Sequence, residues 1–97
     1  MSHLPFKNYM EDAVEHMLNR LEPEYPEACM CDRCRTDMMM IALNNLPPRY
    51  VSTHKGDVLQ RAMGMELQYE VEILTEVMRA IRIVSGQPHH GRNEEGL

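Results

Sequence analysis

The pattern of apolar and polar positions predicts a first helix near the N-terminus. Asn8 is followed three residues later by Glu11, a spacing typical of a capping box at a helix start. Pro23 and Pro26 interrupt any helix that would continue beyond this segment. Between these limits, apolar residues recur at the spacing of one helical face: Met10, Ala13, Val14, Met17, Leu18 and Leu21. We therefore predict a helix from about Tyr9 to Leu21.

A second helix is predicted in the middle of the chain. Asp32 is a suitable N-cap, and the segment from Arg33 to Asn45 has apolar residues on nearly all sides of its second half. Pro47 and Pro48 end it. We therefore expect a central, buried helix. Three consecutive methionines are interpreted as adaptable core filling and not as ligands for a soft metal: Met38, Met39 and Met40.

The third helix is predicted from Asp57 to about Val84, after a polar connector whose β-branched residues allow an extended segment. Its apolar stripe breaks at Glu70, and a kink at Gly64 is the alternative to one straight helix that needs a partner. At about 1.5 Å per residue, such a helix reaches roughly 42 Å. This exceeds the core of one small domain, so we expect a partner helix from a second copy. The stripe consists of Leu59, Met63, Leu67, Leu74, Val77, Ile81 and Val84.

These elements predict an all-α fold, a small three-helix domain with a long C-terminal helix that forms a homodimer. Residues 1–7 are expected to be a flexible N-terminus, residues 8–84 the helical domain, and residues 85–97 a disordered tail. A core of this size supplies only about 3–5 kcal/mol of stability. A bound metal or a second chain would supplement it.

Charge and hydropathy exclude several classes of function. Ten basic residues against fifteen acidic ones give a net charge of -5, which argues against binding to a long DNA or RNA backbone. The longest apolar run, Met38 to Leu43, is far shorter than a membrane span, and early charges argue against a signal peptide. We therefore expect a soluble, cytoplasmic protein.

All three cysteines lie close together in the sequence: Cys29, Cys31 and Cys34. Three clustered thiols indicate a metal site, a redox site or a junction between chains. In a reducing compartment, an odd number of clustered cysteines favours a metal over a disulfide. A thioredoxin-like role for the last two would require a βαβ context, which the pattern does not offer.

The order of short motifs resembles the late-competence protein ComFB family across roughly residues 8 to 84. The motifs are the cysteine cluster, then Arg35-Thr36-Asp37, Ala42-Leu43-Asn44, Leu46-Pro47-Pro48-Arg49-Tyr50-Val51 and Lys55-Gly56. The resemblance implies a small helical homodimer without catalytic activity. It also implies two binding properties found in some members, namely a zinc ion on the cysteines and a cyclic dinucleotide, in particular cyclic di-GMP.

The zinc implied by the resemblance has three candidate ligands in Cys29, Cys31 and Cys34, whereas a closed structural site needs four. No other cysteine exists in the chain. The fourth ligand is therefore open, and three reduced thiols without metal remain the alternative. Candidates for the fourth position, besides water, are His16, Asp32, His54, His89 and His90.

Cyclic di-GMP requires guanidinium groups for its phosphates or guanine faces and a carboxylate for the guanine edge. Residues in the matching motifs and beside them supply candidate groups: Arg35, Asp37, Arg49, Tyr50, Ser52, Thr53, Lys55 and Arg61. Structural roles are the alternatives. In these, Arg35 and Asp37 form a solvated helix edge, Tyr50 packs on the core, and Arg49 caps the second helix.

Two functional hypotheses follow from the sequence. The first is a non-enzymatic receptor that binds a cyclic dinucleotide as a homodimer and signals to a downstream protein. The second is a zinc-stabilised dimeric adaptor in competence or motility control that binds no nucleotide. An enzyme is disfavoured because no nucleophile or carboxylate comes with an activating partner.

Overall fold

The computed structural model describes residues 5–53 and 55–86, with side chains described for all of these except residues 55–66. Its elements in chain order are β1 (Phe6–Asn8), α1 (Tyr9–Leu21), a short 3₁₀ turn (Glu22–Glu24), α2 (Asp32–Asn44), β2 (Tyr50–Ser52) and α3 (Lys55–Gly86). The described part is therefore mostly helical, with three α-helices and a long C-terminal one. A small two-stranded sheet accompanies them, so the purely α-helical prediction is corrected.

Helix α1 begins and ends where the sequence pattern predicted. Asn8 is its N-cap, and the Asn8 side-chain oxygen accepts a hydrogen bond from the backbone N–H of Met10 at 3.2 Å. This contact satisfies one of the N–H groups that have no partner within the helix. One face of the helix is buried in the core: Tyr9, Met10, Ala13, Val14, Met17 and Leu18.

The two strands pair antiparallel, with Phe6 opposite Ser52 and Asn8 opposite Tyr50. Each strand has only three residues, too few for a readable alternation of apolar and polar positions. Pairing is extended by the backbone N–H of Thr53, which donates to the carbonyl of Pro5 at 2.8 Å. The sheet therefore fastens the start of α1 to the segment that leads into α3.

Helix α2 differs from the prediction in two respects. Its N-cap is Cys31 and not Asp32, which is instead the first residue of the helix. The helix also buries one face and not its whole circumference, because Met38 is 1% exposed whereas Met40 is 52% exposed. The fully buried positions lie at a spacing of four residues: Cys34, Met38 and Ala42.

Helix α3 packs against both other helices and completes the core. It runs for 32 residues without a break at Gly64, so its length is about 48 Å. Ile73, which the predicted stripe omitted, is 2% exposed, whereas the predicted Leu67 is 83% exposed. The buried face is formed by Ile73, Val77, Ala80, Ile81 and Val84.

The ends of the described chain differ from the predicted boundaries. Phe6 and Lys7 belong to β1, although a flexible N-terminus through residue 7 was predicted. Helix α3 continues through Ser85 and Gly86, where the tail was predicted to begin. Residues 1–4 and 87–97 lie outside the described residues. None of the helices in the described part of the chain is both long and apolar enough to cross a membrane.

Candidate functional site

Three cysteines come together where the loop after α1 meets the start of α2. The sulfur atoms of Cys29, Cys31 and Cys34 all lie within 4.8 Å of one another. In a tetrahedral site, zinc–sulfur bonds of about 2.3 Å place neighbouring sulfurs about 3.8 Å apart. Because side-chain rotation covers this difference, the three sulfurs could hold a metal ion.

The local fold of α2 sets the environment of these sulfurs. Cys31 has extended backbone geometry as the N-cap, and its sulfur accepts a hydrogen bond from the backbone N–H of Cys34 at 3.5 Å. That hydrogen bond is the largest cause of a lowered pKa for the Cys31 thiol. Cys34 is fully buried, and burial raises the pKa of its thiol to about 11. The cluster thus has a buried sulfur at its base and the exposed Cys31 sulfur at its mouth.

The described residues supply no fourth protein ligand to the cluster. Only the three cysteines bring ligand atoms together among the described His, Cys, Asp and Glu side chains. His16 lines a pocket between α1 and α3, and the exposed Asp32 is not a member of the group. His54, His89 and His90 lie outside the described residues. The residues therefore fit a metal ion through three thiolates, with the fourth ligand unassigned.

Arg35 connects α2 to the end of α1. Its guanidinium donates to the side-chain oxygen of Asn19 at 2.6 Å and lies 3.3 Å from the carboxylate of Glu22. Through these contacts Arg35 joins α2 to the end of α1, whereas the structural alternative placed it on a solvated helix edge. Asp37 is half-buried, with its Oδ2 atom shielded from solvent.

The turn containing Arg49 is fixed through its backbone. The N–H of Arg49 donates to the side-chain oxygen of Asn8 at 2.9 Å. The carbonyl of Arg49 accepts a hydrogen bond from the N–H of Tyr9 at 2.6 Å. Since Asn8 also caps α1, the start of this helix and the turn form one hydrogen-bonded unit.

The Arg49 side chain lies over an aromatic ring of α3. Its guanidinium carbon is 4.6 Å from the centroid of Tyr69, within the range of a cation–π interaction. The guanidinium also donates to the carbonyl of Pro48 at 2.8 Å. This carbonyl belongs to the connector and not to α2, so the hydrogen bond does not support the alternative in which Arg49 caps α2.

Tyr50 points away from the core, contrary to the structural alternative in which it packs on the core. It is 63% exposed and makes an edge-to-face contact with Phe6, with ring centroids 5.9 Å apart. Ser52 is half-buried opposite Phe6 in the sheet, and Thr53 is exposed. An exposed aromatic ring and two hydroxyl residues therefore follow Arg49 along the connector.

The predicted ligand-binding residues fall into two groups within one chain. Arg35 binds Asn19 near the end of α1, whereas Arg49 binds Asn8 at its start, about 16 Å away along the helix axis. Lys55 begins α3 and Arg61 follows about two turns later, but the side chains of both lie outside the described region. The chain brings Arg49 and Tyr50 together with Ser52 and Thr53 but separates them from Arg35 and Asp37.

Residues that complete these arrangements were not predicted from the sequence. Tyr69 provides the ring beneath Arg49, and Asn8 holds the turn in addition to capping α1. No local spacing connects positions so distant in the chain, although an aromatic residue within a long helix of mostly aliphatic and charged residues is a weak signal. The sequence also did not predict a pocket between α1 and α3 with a cavity volume of about 380 Å³. None of the predicted ligand-binding residues lines this pocket. Its wall is formed by Tyr9, Asp12, Ala13, His16, Met17, Glu70 and Ile73.

A second apolar stripe lies on α3 beside the face that enters the core, and its Leu74 packs against that core. Leu67 and Val71 are 83% and 75% exposed, and Leu74 and Met78 are half-buried. These four residues, here called the α3 stripe, are spaced by four, three and four positions. That spacing is the one found along coiled-coil seams.

Comparisons with known proteins agree on one family. The family model described as late competence development protein ComFB matches residues 7–88. Competence protein ComFB of Bacillus subtilis (strain 168) is 26% identical over 81 residues, covering 84% of this chain and 83% of that protein. A solved structure of the late competence protein ComFB from Bacillus subtilis has a TM-score of 0.72 and 24% identity. It is matched over 89% of this chain and 94% of that one, which shows a shared fold. Because the family model spans most of its length, the chain belongs to the ComFB family of late competence development proteins.

Proposed function

We propose that the chain is a cytoplasmic, non-enzymatic receptor that binds a cyclic dinucleotide, cyclic di-GMP in particular, as a homodimer. The bound state would be passed to a downstream protein. Support comes from membership of the ComFB family, in which the resemblance implies binding of this second messenger. The described residues add chemical groups suited to such a ligand.

The observation that carries the proposal is the stack of Arg49 on Tyr69 beside the exposed Tyr50. A guanidinium can bind a phosphate with two hydrogen bonds or lie flat on a guanine. An exposed tyrosine ring can stack on a base. The N-terminus of α3 follows within a few residues, and helix N-termini favour phosphate.

The α3 stripe supports the homodimer. Val71 is well exposed, although removing an aliphatic side chain from water is favourable. The half-buried Leu74 and Met78 continue the stripe into a groove that they line with Leu21 and Tyr25. A second copy of α3 would cover this surface with side chains of the same kind.

The symmetry of the dimer determines where its two Arg49 turns lie relative to the ligand. Cyclic di-GMP has two phosphates and two guanines related by a two-fold axis, and a two-fold dimer presents each of its residues twice about its own axis. Arg49 packs on Tyr69, which lies on the opposite side of α3 from the α3 stripe, so the two Arg49 turns of such a dimer would face outward. Each would then bind a ligand at a symmetry-equivalent position. In this arrangement Arg35 and Asp37, distant from Arg49 within a chain, would contribute only through contacts between chains.

Calorimetric titration tests the proposal with the wild-type protein, cyclic di-GMP and cyclic di-AMP. We expect saturable binding, tighter for cyclic di-GMP. Arg49→Ala should weaken it more than about tenfold, because a lost hydrogen bond to a charged group costs about 1.5–3 kcal/mol. Absence of heat and of a thermal shift with both nucleotides would contradict the proposal.

A matched variant separates the loss of a specific contact from the loss of charge. Arg79 is exposed on α3 and pairs with Glu76 at 3.5 Å, so Arg79→Ala changes the net charge by the same amount. We expect wild-type affinity in this variant. Equal weakening by Arg49→Ala and Arg79→Ala would indicate a general charge effect and would remove Arg49 from the site.

The cysteine cluster favours a second candidate function. In this alternative the chain is a zinc-stabilised dimeric adaptor in competence or motility control that binds no nucleotide. Cys29, Cys31 and Cys34 would hold the zinc, which would fasten the loop after α1 to the first turn of α2. Metal analysis of untagged protein, combined with the nucleotide titration, distinguishes the candidates. About one zinc per chain without nucleotide binding supports the adaptor, and a metal-free dimer that binds nucleotide contradicts it.

A further inference from the structure

The three cysteines of the cluster differ in their exposure to solvent. Cys34 is fully buried, Cys29 is half-buried and Cys31 is exposed. A metal ion bound to all three would therefore have protein on the side of Cys34 and an approach from solvent on the side of Cys31. The three sulfurs are thus shielded from solvent on the side of Cys34 and accessible on the side of Cys31.

The composition of the donor set leaves one coordination position to fill. A closed structural zinc site has four protein ligands, whereas a site with three protein ligands keeps the fourth position for an exchangeable molecule. Within the described residues, only the three cysteines bring ligand atoms together at this place. The cluster therefore matches the exchangeable type of site better than the closed type.

The N-terminus of α2 lies at the same place and affects which external ligand is tolerated. Three thiolates and one divalent ion carry a net charge of about -1, and a fourth thiolate would make it about -2. Partial positive charge at a helix N-terminus stabilises nearby negative charge. Cys31 is the N-cap and already receives the N–H of Cys34 on its sulfur, so the helix end is directed at the cluster. A soft anionic donor therefore suits the fourth position.

We propose that a metal ion held by Cys29, Cys31 and Cys34 keeps its fourth position open to solvent and binds a small external thiol there. The thiol loses its proton to solvent as its sulfur binds the ion, and no electron is transferred. The site then exists in two states, with and without the external thiol. This inference rests on metal binding by the cysteines, as in the second candidate function, and is independent of nucleotide binding.

Cobalt substitution tests the inference directly. Cobalt(II) replaces zinc in thiolate sites, and its visible absorption bands report the number and type of its ligands. The full-length protein is loaded with one equivalent of cobalt and titrated with β-mercaptoethanol. We expect a saturable change of the bands with one thiol bound per cobalt. An unchanged spectrum overturns the inference, and so does failure of the protein to bind cobalt.

Variants determine whether the chain itself supplies the fourth ligand. Candidates outside the described residues are removed in His54→Ala and in the pair His89→Ala and His90→Ala. We expect the cobalt spectrum before addition of thiol to match that of the wild type in both. A changed spectrum in either variant identifies a fourth protein ligand and overturns the inference.

Cys31→Ser provides the matched control for the metal site itself. Serine is a preferred N-cap, so this change keeps the acceptor for the N–H of Cys34 while removing one thiolate. The position is exposed, and we expect the variant to fold. Its cobalt spectrum should show weaker sulfur-to-cobalt absorption than that of the wild type, because two thiolates remain in place of three. A spectrum and thiol response equal to those of the wild type would show that Cys31 is not a ligand and would contradict the assigned site.

Discussion

The guanidinium of Arg49 lies 4.6 Å from the ring centroid of Tyr69, which joins the double-proline turn to the long C-terminal helix. The backbone of Arg49 is held separately by Asn8 and Tyr9 at the start of α1. Side chain and backbone of a single residue therefore connect three parts of the chain. In the proposed receptor, a ligand that binds Arg49 would act on a residue already packed against α3.

A double-mutant cycle measures the energy of this contact. Arg49→Ala, Tyr69→Ala and the double variant are unfolded with urea, and we expect a coupling free energy of about 0.5–1 kcal/mol for a partly exposed cation–π pair. Tyr69→Phe keeps the ring and should retain most of the coupling. The cycle of Tyr69→Ala with Arg79→Ala should be additive, because these side chains are well separated along α3. Zero coupling between Arg49 and Tyr69 would remove the contact from the account.

Asn8 is predicted to stabilise the fold more than an ordinary surface residue. Its side-chain oxygen accepts hydrogen bonds from Met10 and Arg49, so Asn8→Ala removes an N-cap and a tertiary contact together. We expect the free energy of unfolding to fall by about 1–2 kcal/mol. Asn8→Ser should restore part of this loss. Asn44→Ala, at the exposed end of α2, is the control and should stay within about 0.5 kcal/mol of the wild type. Equal effects at both positions would contradict the capping role.

Two neighbouring methionines should respond very differently to truncation. Met38 is 1% exposed in the core, and Met38→Ala should lower the free energy of unfolding by about 2–5 kcal/mol. Met40 is 52% exposed, and Met40→Ala should change it by less than about 0.5 kcal/mol. Chemical denaturation of both variants checks the prediction. A large loss in Met40→Ala would mean that another chain covers this side of α2.

Zinc is expected to stabilise the wild-type protein through its cysteine cluster. A ligand that binds only the folded state at a hundredfold excess over its dissociation constant adds about 2.7 kcal/mol to the free energy of unfolding. The melting temperature should therefore fall when zinc is removed by a chelator. Cys31→Ser keeps an N-cap for α2, so without metal its melting temperature should stay close to that of the metal-free wild type, and zinc should raise it less than in the wild type. An undiminished zinc response in this variant would exclude Cys31 as a ligand.

The sequence predicted those parts of the fold that depend on local pattern. The bounds of α1 follow from Asn8 and the apolar spacing after it, and both signals lie within one short segment. The N-cap of α2 was misplaced because cysteine is not among the usual capping residues, although the Cys31 sulfur fills that role. The sheet was missed because its strands are short and pair across the whole length of α1 and α2.

The candidate site was predictable by residue type but not by arrangement. The spacing of the cysteines was sufficient to predict their proximity, because they lie in one loop and the first turn of one helix. The contacts of Arg35 with Asn19 and of Arg49 with Tyr69 depend on how the helices pack, which no local spacing encodes. The exposed stripe on α3 was predicted at Leu67 and Leu74 but not at Val71, since a single stripe cannot describe a helix with two apolar faces.

Val71→Arg is predicted to separate the proposed dimer without unfolding the chain. Val71 is 75% exposed in the single chain, so arginine there creates no buried charge unless a second copy covers it. Ile83 is also an exposed aliphatic residue of α3, at 46%, but it lies outside the α3 stripe. Ile83→Arg is therefore the matched control and should leave the association unchanged. Circular dichroism checks that both variants keep their helices.

The solution mass of the wild-type protein, measured by light scattering at micromolar concentration with and without cyclic di-GMP, tests the proposed dimer most directly. We predict about twice the chain mass of 11.3 kDa for the wild type and for Ile83→Arg, and a value near 11.3 kDa for Val71→Arg. A wild-type mass of 11.3 kDa throughout, with the nucleotide present, would contradict the proposed homodimer.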